Sequence, residues 1–199
     1  KIVSMIKKVV VIGPESTGKS TLCEQLAAHY KTNWVPEYAR QYLEKNGKDY
    51  SYDDLIEIAK GQLEVEQLAI DNFDSLDISQ EKPGITPLNI QSSPRVQQLL
   101  FIDTDLYVIK VWSEIAFNKC DNRTLTQIAK RSYDLYLLCN TDLPWVADSL
   151  REYPDLKTRE KIYHYYKDAM VNQKTAWVDI SGNYEERFLK AVKAVDKIR

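Results

Sequence analysis

The chain has 199 residues, 44% of them hydrophobic and 28% charged, with a formal net charge of −2. That length suits a single domain over 1–199, with or without a lid, and two full domains would be cramped. No apolar run approaches the roughly 18 residues of a membrane span. The near-neutral balance gives no electrostatic reason to expect nucleic acid as a partner, and the separated cysteines Cys23, Cys120 and Cys139 suggest neither a disulfide framework nor a zinc site. These features suit a cytoplasmic protein that handles small molecules, with a homo-oligomer left open. The first residue is Lys1 rather than methionine, which fits a trimmed or tagged start, and the apolar run over 9–12 is too short for a signal peptide.

In chain order, short β-branched runs alternate with longer stretches of helical period, the pattern of an α/β fold with a mainly parallel sheet. Strands are expected at 8–12, 32–35, 99–103, 135–139 and 176–180. Five suffice for a central, mainly parallel sheet flanked by helices, with a short lid.

The first strand runs into GPESTGKST at 13–21, and the spacing GxxxxGK[ST] is met by Gly13, Gly18, Lys19 and Ser20. Phosphate oxygens need converging backbone N–H groups, and glycine lets the backbone turn tightly enough to supply them. Lys19 is expected to reach the β and γ phosphates and Ser20 to ligate magnesium, with the next helix aiming its positive N-terminus at the nucleotide. Glu15, Ser16, Thr17 and Thr21 complete this cofactor-binding loop.

After the second strand comes Pro36-Glu37-Tyr38-Ala39-Arg40. A carboxylate at the carboxyl edge of a strand sits where open α/β sheets bind substrates, so Glu37 is a candidate to accept a hydroxyl proton. Arg40 either reaches a phosphate or makes a plain i,i+3 pair with Glu37. Ser51 and Asp54 resemble a capping box, and Leu55, Ile58, Ala59, Val65 and Ala69 mark one face of a long helix through Phe73. From 74 to 94 the residues favour a flexible loop.

The stretch Leu99-Leu100-Phe101-Ile102-Asp103 is an apolar strand ending in a carboxylate, as a magnesium-directed motif requires. Asp103 is therefore the metal-site candidate, with capping of the next helix as the alternative; Asp105 follows two residues later. After the fourth strand, Asn140-Thr141-Asp142 lacks the Asn-Lys-x-Asp pattern of a guanine-selective protein. The segment 143–160 then supplies Trp145, Asp148, Arg151 and Arg159, suited to a lid that excludes water and neutralises a transferred phosphoryl group. Surface salt bridges for the arginines and a core position for Trp145 are the plainer alternatives. His29 and His164 stand alone, without metal-pair spacing. Phe188, Val192, Val195 and Ile198 mark the apolar face of a last helix.

In this order, GPESTGKST, PEYAR, FIDTD, LPWVADSLR and YEERF resemble the ribosylnicotinamide kinase domain of NadR-type proteins, within the P-loop kinase superfamily. The resemblance runs from about Val9 to Ala194, except for 74–94. It implies the P-loop NTPase fold and ATP-dependent phosphorylation of the 5′-hydroxyl of nicotinamide riboside to nicotinamide mononucleotide, in NAD salvage. By likeness, Lys19 and Ser20 hold ATP and Mg2+, and Asp103 completes the metal site. Glu37, Tyr38, Arg40 and Asp105 face the riboside, with Trp145 and Asp148 nearby, and Tyr184 lies where related kinases cradle adenine. Lys19, Glu37, Asp103 and Arg151 form the expected catalytic set. The resemblance favours Glu37 over Asp105 as the base. A kinase for another nucleoside, a regulatory ATP-binding module and a simple ATPase are the competing readings.

Overall fold

The computed structural model describes residues 6–78 and 98–199. Among these, five strands form one sheet in the order β2-β3-β1-β4-β5. The strands are β1 (Lys7–Ile12), β2 (Trp34–Val35), β3 (Leu99–Asp103), β4 (Leu135–Cys139) and β5 (Trp177–Ile180). All four pairings are parallel. The helices are α1 (Lys19–Tyr30), α2 (Tyr38–Asn46), α3 (Tyr52–Ile78), α4 (Leu106–Phe117), α5 (Asn122–Lys130), α6 (Leu156–Val171) and α7 (Tyr184–Val195).

Side chains alternate across a strand, and both faces of this sheet are covered. Val9 and Val11 of β1 pack with Leu22, Leu26 and Val195 under α1 and α7. Val10 and Ile12 face the opposite core, with Val108 of α4 and Ile162 and Met170 of α6. Burial on both faces makes β3 and β4 apolar without alternation, and every residue of each is buried.

The expected strands and the last helix are present, with shifts at their ends. β2 begins at Trp34 because Thr32 belongs to the end of α1. Lys31 adopts a left-handed conformation there, and the Thr32 N–H donates to the Ala27 carbonyl at 2.9 Å, a Schellman-like close. The helix expected through Phe73 continues to Ile78, so residues 74–78 are helical rather than loop; extending an existing helix adds a hydrogen bond for each residue fixed. The rest of the expected loop lies outside the described residues, as does the chain start at Lys1. Ile198 falls just past α7, which ends at Val195.

Candidate active site

The sheet register assembles the site. Val11 lies opposite Asp103 across β1 and β3, and Val35 lies opposite Ile102 across β2 and β3. The phosphate loop, Asp103 and Pro36-Glu37 thus leave neighbouring parallel strands at their carboxyl ends, where open α/β sheets bind ligands.

Within the loop, Gly13 has φ 141°, and a Cβ there would stand 2.6 Å from the Cys139 carbonyl oxygen, so only glycine fits against β4. Ser16 and Gly18 also take positive φ. Thr17 Oγ1 donates to the Pro14 carbonyl at 2.7 Å, and Lys19 Nζ donates to the same oxygen at 3.1 Å. Ser20 Oγ donates to Asp103 Oδ2 at 2.5 Å. Two hard oxygen donors therefore meet beside the loop, a donor set that fits magnesium. Burial, then repulsion from Glu37, pushes the Asp103 carboxyl up to about 6, while Lys19 and Ser20 pull it down.

Thr104 stands between two carboxylates that diverge. Its φ of 75° is unusual for a β-branched residue, and the turn sends Asp103 to Ser20 and Asp105 into the interior. Asp105, rather than Asp103, caps the following helix, accepting from the Tyr107 N–H at 2.9 Å. The Tyr136 hydroxyl donates to it at 2.7 Å. Burial pushes the Asp105 carboxyl up to about 7 against these donors.

A cavity of about 490 Å³ opens over the loop. Gly13, Glu15, Ser16, Thr17, Gly18, Lys19, Ser20 and Thr21 line one side. Glu37 and Arg40 line it from the start of α2, and Arg151 from the segment after β4. Its remaining wall combines the apolar Leu43, Val108, Val111, Ile115, Leu150 and Ile162 and the aromatics Tyr50, Trp112 and Tyr166 with the polar Lys48, Asp49, Ser149 and Glu152.

Asp103, Tyr38, Asp105, Trp145, Asp148, Arg159 and Tyr184 lie outside that lining. Asp105 is buried beneath it. The Tyr38 ring packs on Gly61 of α3, where a Cβ would stand 2.0 Å away. Asp148 pairs with Arg40 at 3.0 Å. Arg40 also pairs with Glu44 at 3.6 Å, so its partners are these two carboxylates rather than the i,i+3 Glu37. Trp145 is half-buried beneath Arg151 and Arg159, whose guanidinium carbons lie 5.9 and 5.3 Å from its ring centre, within cation–π range. Arg159 is buried on α6, with Nε and Nη1 lacking a hydrogen-bond partner among the described residues. The expected lid, 143–160, divides at Asp155, the N-cap of α6. Tyr184 is exposed, with its ring beside Gly18.

Other residues of this region are not apparent from sequence. The Glu15 carboxylate accepts from the Glu152 N–H at 3.0 Å and from the Tyr153 N–H, tying the phosphate loop to the segment between β4 and α6; burial pushes its pKa up against these amides. Trp112 Nε1 donates to the Tyr50 hydroxyl at 2.8 Å, which donates to Glu152 Oε2 at 3.0 Å. Arg187 is buried on α7. It donates to the carbonyls of Thr17 at 2.9 Å, Asn140 at 2.8 Å and Gly182 at 2.7 Å, and pairs with Asp142. Local pattern offers no signal for these residues, because their partners are distant in the chain.

The parallel five-stranded sheet and the phosphate loop at its carboxyl edge define a P-loop NTPase-like kinase fold. A family model described as an AAA domain matches residues 8–187, and the chain belongs to that family. It is 23% identical over 194 residues to the trifunctional NAD biosynthesis/regulator protein NadR of Salmonella typhimurium, covering 97% of this chain and 43% of the relative. To NadR of Escherichia coli it is 24% identical over 191 residues, covering 96% of this chain and 42% of the relative. The chain thus spans less than half the length of these curated relatives. Among solved structures, NadR in complex with NR is 23% identical with a TM-score of 0.70, covering 98% of this chain and 50% of that one. A thymidylate kinase from Ehrlichia chaffeensis shares the fold at 11% identity, with a TM-score of 0.59, covering 96% of this chain and 99% of that one. Among the described residues, no helix is long and apolar enough to cross a membrane.

Proposed function

We propose that the chain transfers the γ-phosphoryl group of ATP to the 5′-hydroxyl of nicotinamide riboside, giving nicotinamide mononucleotide for NAD biosynthesis. The observation that carries this reading is a single cavity bounded by the phosphate loop on one side and by Glu37 with a wall of apolar, aromatic and polar residues on the other. The similar NadR chains support it: one is described in complex with NR and another with NAD and AMP-PNP.

In this reading the loop amides of 13–21 and Lys19 hold the phosphates. Ser20 and Asp103 hold magnesium, which when bound neutralises charge on phosphate oxygens. Glu37 accepts the proton of the attacking hydroxyl as its oxygen bonds to the γ-phosphorus, and the bond to the bridging oxygen breaks to release ADP. Arg151 neutralises charge on the transferred group, with Arg159 and Trp145 supporting it in the lid. Arg40 and Asp148 close the mouth as a pair. Tyr38 and Asp105 act through what they position, Tyr38 at the start of α2 beside Glu37 and Asp105 at the start of α4.

The test is incubation with ATP, magnesium and a panel of nucleosides, with products separated by chromatography. Nicotinamide mononucleotide is the expected product. Phosphorylation of a different nucleoside, or ATP binding without acceptor-dependent turnover, overturns the reading.

A further inference from the structure

Three tyrosines are buried in the described core: Tyr136, Tyr163 and Tyr166. A buried hydroxyl without a partner costs about 1–3 kcal/mol, and two of the three are satisfied. Tyr136 donates to Asp105 and Tyr163 to Asp179. Tyr166, on α6 and 4% exposed, makes no hydrogen bond through its hydroxyl to a described residue, and that oxygen is not one of the fully buried unpaired polar atoms, so it stays reachable from outside the core. It is also the one of the three that lines the active-site cavity.

Its neighbours on that wall include Ile162, one turn earlier on α6, and Val108 and Val111 of α4, so the phenol is a polar group in apolar surroundings. Sparse polar groups in such walls are what orient a ligand. The carboxylates of Glu37 and Glu15 also line the cavity, and after burial Glu37, the buried Asp105 and Glu15 each help to raise the Tyr166 pKa. Negative charge on this side of the cavity favours a neutral hydroxyl over a phosphate anion at the phenol, while Lys19 and Arg151 of the same lining are placed for phosphates.

We propose that the Tyr166 hydroxyl hydrogen-bonds a ribose hydroxyl of the acceptor nucleoside and orients the sugar towards Glu37. This rests on the nucleoside-kinase reading and adds an acceptor-binding residue to it. A tyrosine in a run of aromatic and charged helix residues carries no such signal in the sequence.

The test is Tyr166→Phe, which keeps the ring and removes only the hydroxyl. It is assayed with the wild type on nicotinamide riboside and its 2′-deoxy and 3′-deoxy analogues. The variant should keep or slightly raise the thermal midpoint and leave the KM for ATP unchanged. Its kcat/KM for the riboside should fall on the order of tenfold, the worth of one hydrogen bond to substrate. One deoxy analogue should lose a similar factor with the wild type and be insensitive to the substitution. A lowered midpoint with unchanged acceptor kinetics overturns the proposal, as does a rise confined to the KM for ATP, or losses that simply add for both analogues. If another nucleoside is the true acceptor, the substrate assignment falls and the same comparison on that nucleoside decides the role of Tyr166. If no nucleoside is phosphorylated, both fall.

Discussion

Arg187 commits its guanidinium to three backbone carbonyls and one carboxylate, tying the phosphate loop at Thr17 to the ends of β4 and β5. Replacing it with methionine keeps bulk but leaves those carbonyls without their donor. The expected result is a loss of about 2–4 kcal/mol in unfolding free energy, with the KM for ATP rising more than that for the acceptor. Denaturant titration and steady-state kinetics check this; a loss below about 1 kcal/mol with unchanged KM for ATP contradicts it. The loop itself was legible because its chemistry is contiguous: spacing alone identifies Gly13, Gly18, Lys19 and Ser20. Arg187 was not, because it meets Thr17 from 170 residues away and no local pattern marks a buried arginine. Asp103 and Asp105 fall between these cases. An apolar strand ending in a carboxylate pointed to Asp103, but only the turn at Thr104 decides which aspartate faces Ser20 and which caps α4.

At the scale of elements, the start of α3 follows directly from its sequence. The Ser51 N–H and hydroxyl donate to Asp54 Oδ2 at 2.8 and 2.6 Å, and the Tyr42 hydroxyl adds a donor at 2.5 Å. These donors, Ser51 first, hold the Asp54 carboxyl down to about 2. A carboxyl depressed by folding stabilises above its unfolded value of 3.8 and loses that contribution as pH falls through about 2. Asp54→Asn should therefore lower the thermal midpoint at pH 7, and the gap from the wild type should narrow as pH falls below about 4. A gap constant with pH contradicts the assignment. Gly61 tests the middle of the same helix. Glycine to alanine inside a helix ordinarily stabilises by about 1 kcal/mol, but here the new methyl meets the Tyr38 ring. Gly61→Ala should instead destabilise by about 1–3 kcal/mol, measured by urea unfolding, and a gain in stability would show that Tyr38 yields freely. Periodicity revealed the amphipathic face but not this contact, since the glycine only makes sense once α2 lies against it. Helix ends were missed for a related reason: Thr32 left its strand to close α1, and the continuation past Phe73 carries no strong local signal.

Across the whole molecule, the parallel register turns three separate sequence segments into one site. The central strands β1, β3 and β4, buried on both faces, read plainly as apolar runs, whereas the edge strands β2 and β5 are only part-buried. The cavity wall was not legible, because Tyr50, Trp112 and Glu152 meet only through tertiary packing of a loop, α4 and the segment between β4 and α6. The central claim is that Glu37 and the phosphate loop face one another across this cavity to move a phosphoryl group. It is tested most directly by following label from γ-labelled ATP in the presence of nicotinamide riboside and magnesium, with the wild type and with Glu37→Gln. Labelled nicotinamide mononucleotide is expected from the wild type, with a fall in kcat of about 10²–10⁴-fold for the variant and little change in acceptor KM. Label appearing only as inorganic phosphate, or a variant that transfers it at the wild-type rate, would contradict the central claim.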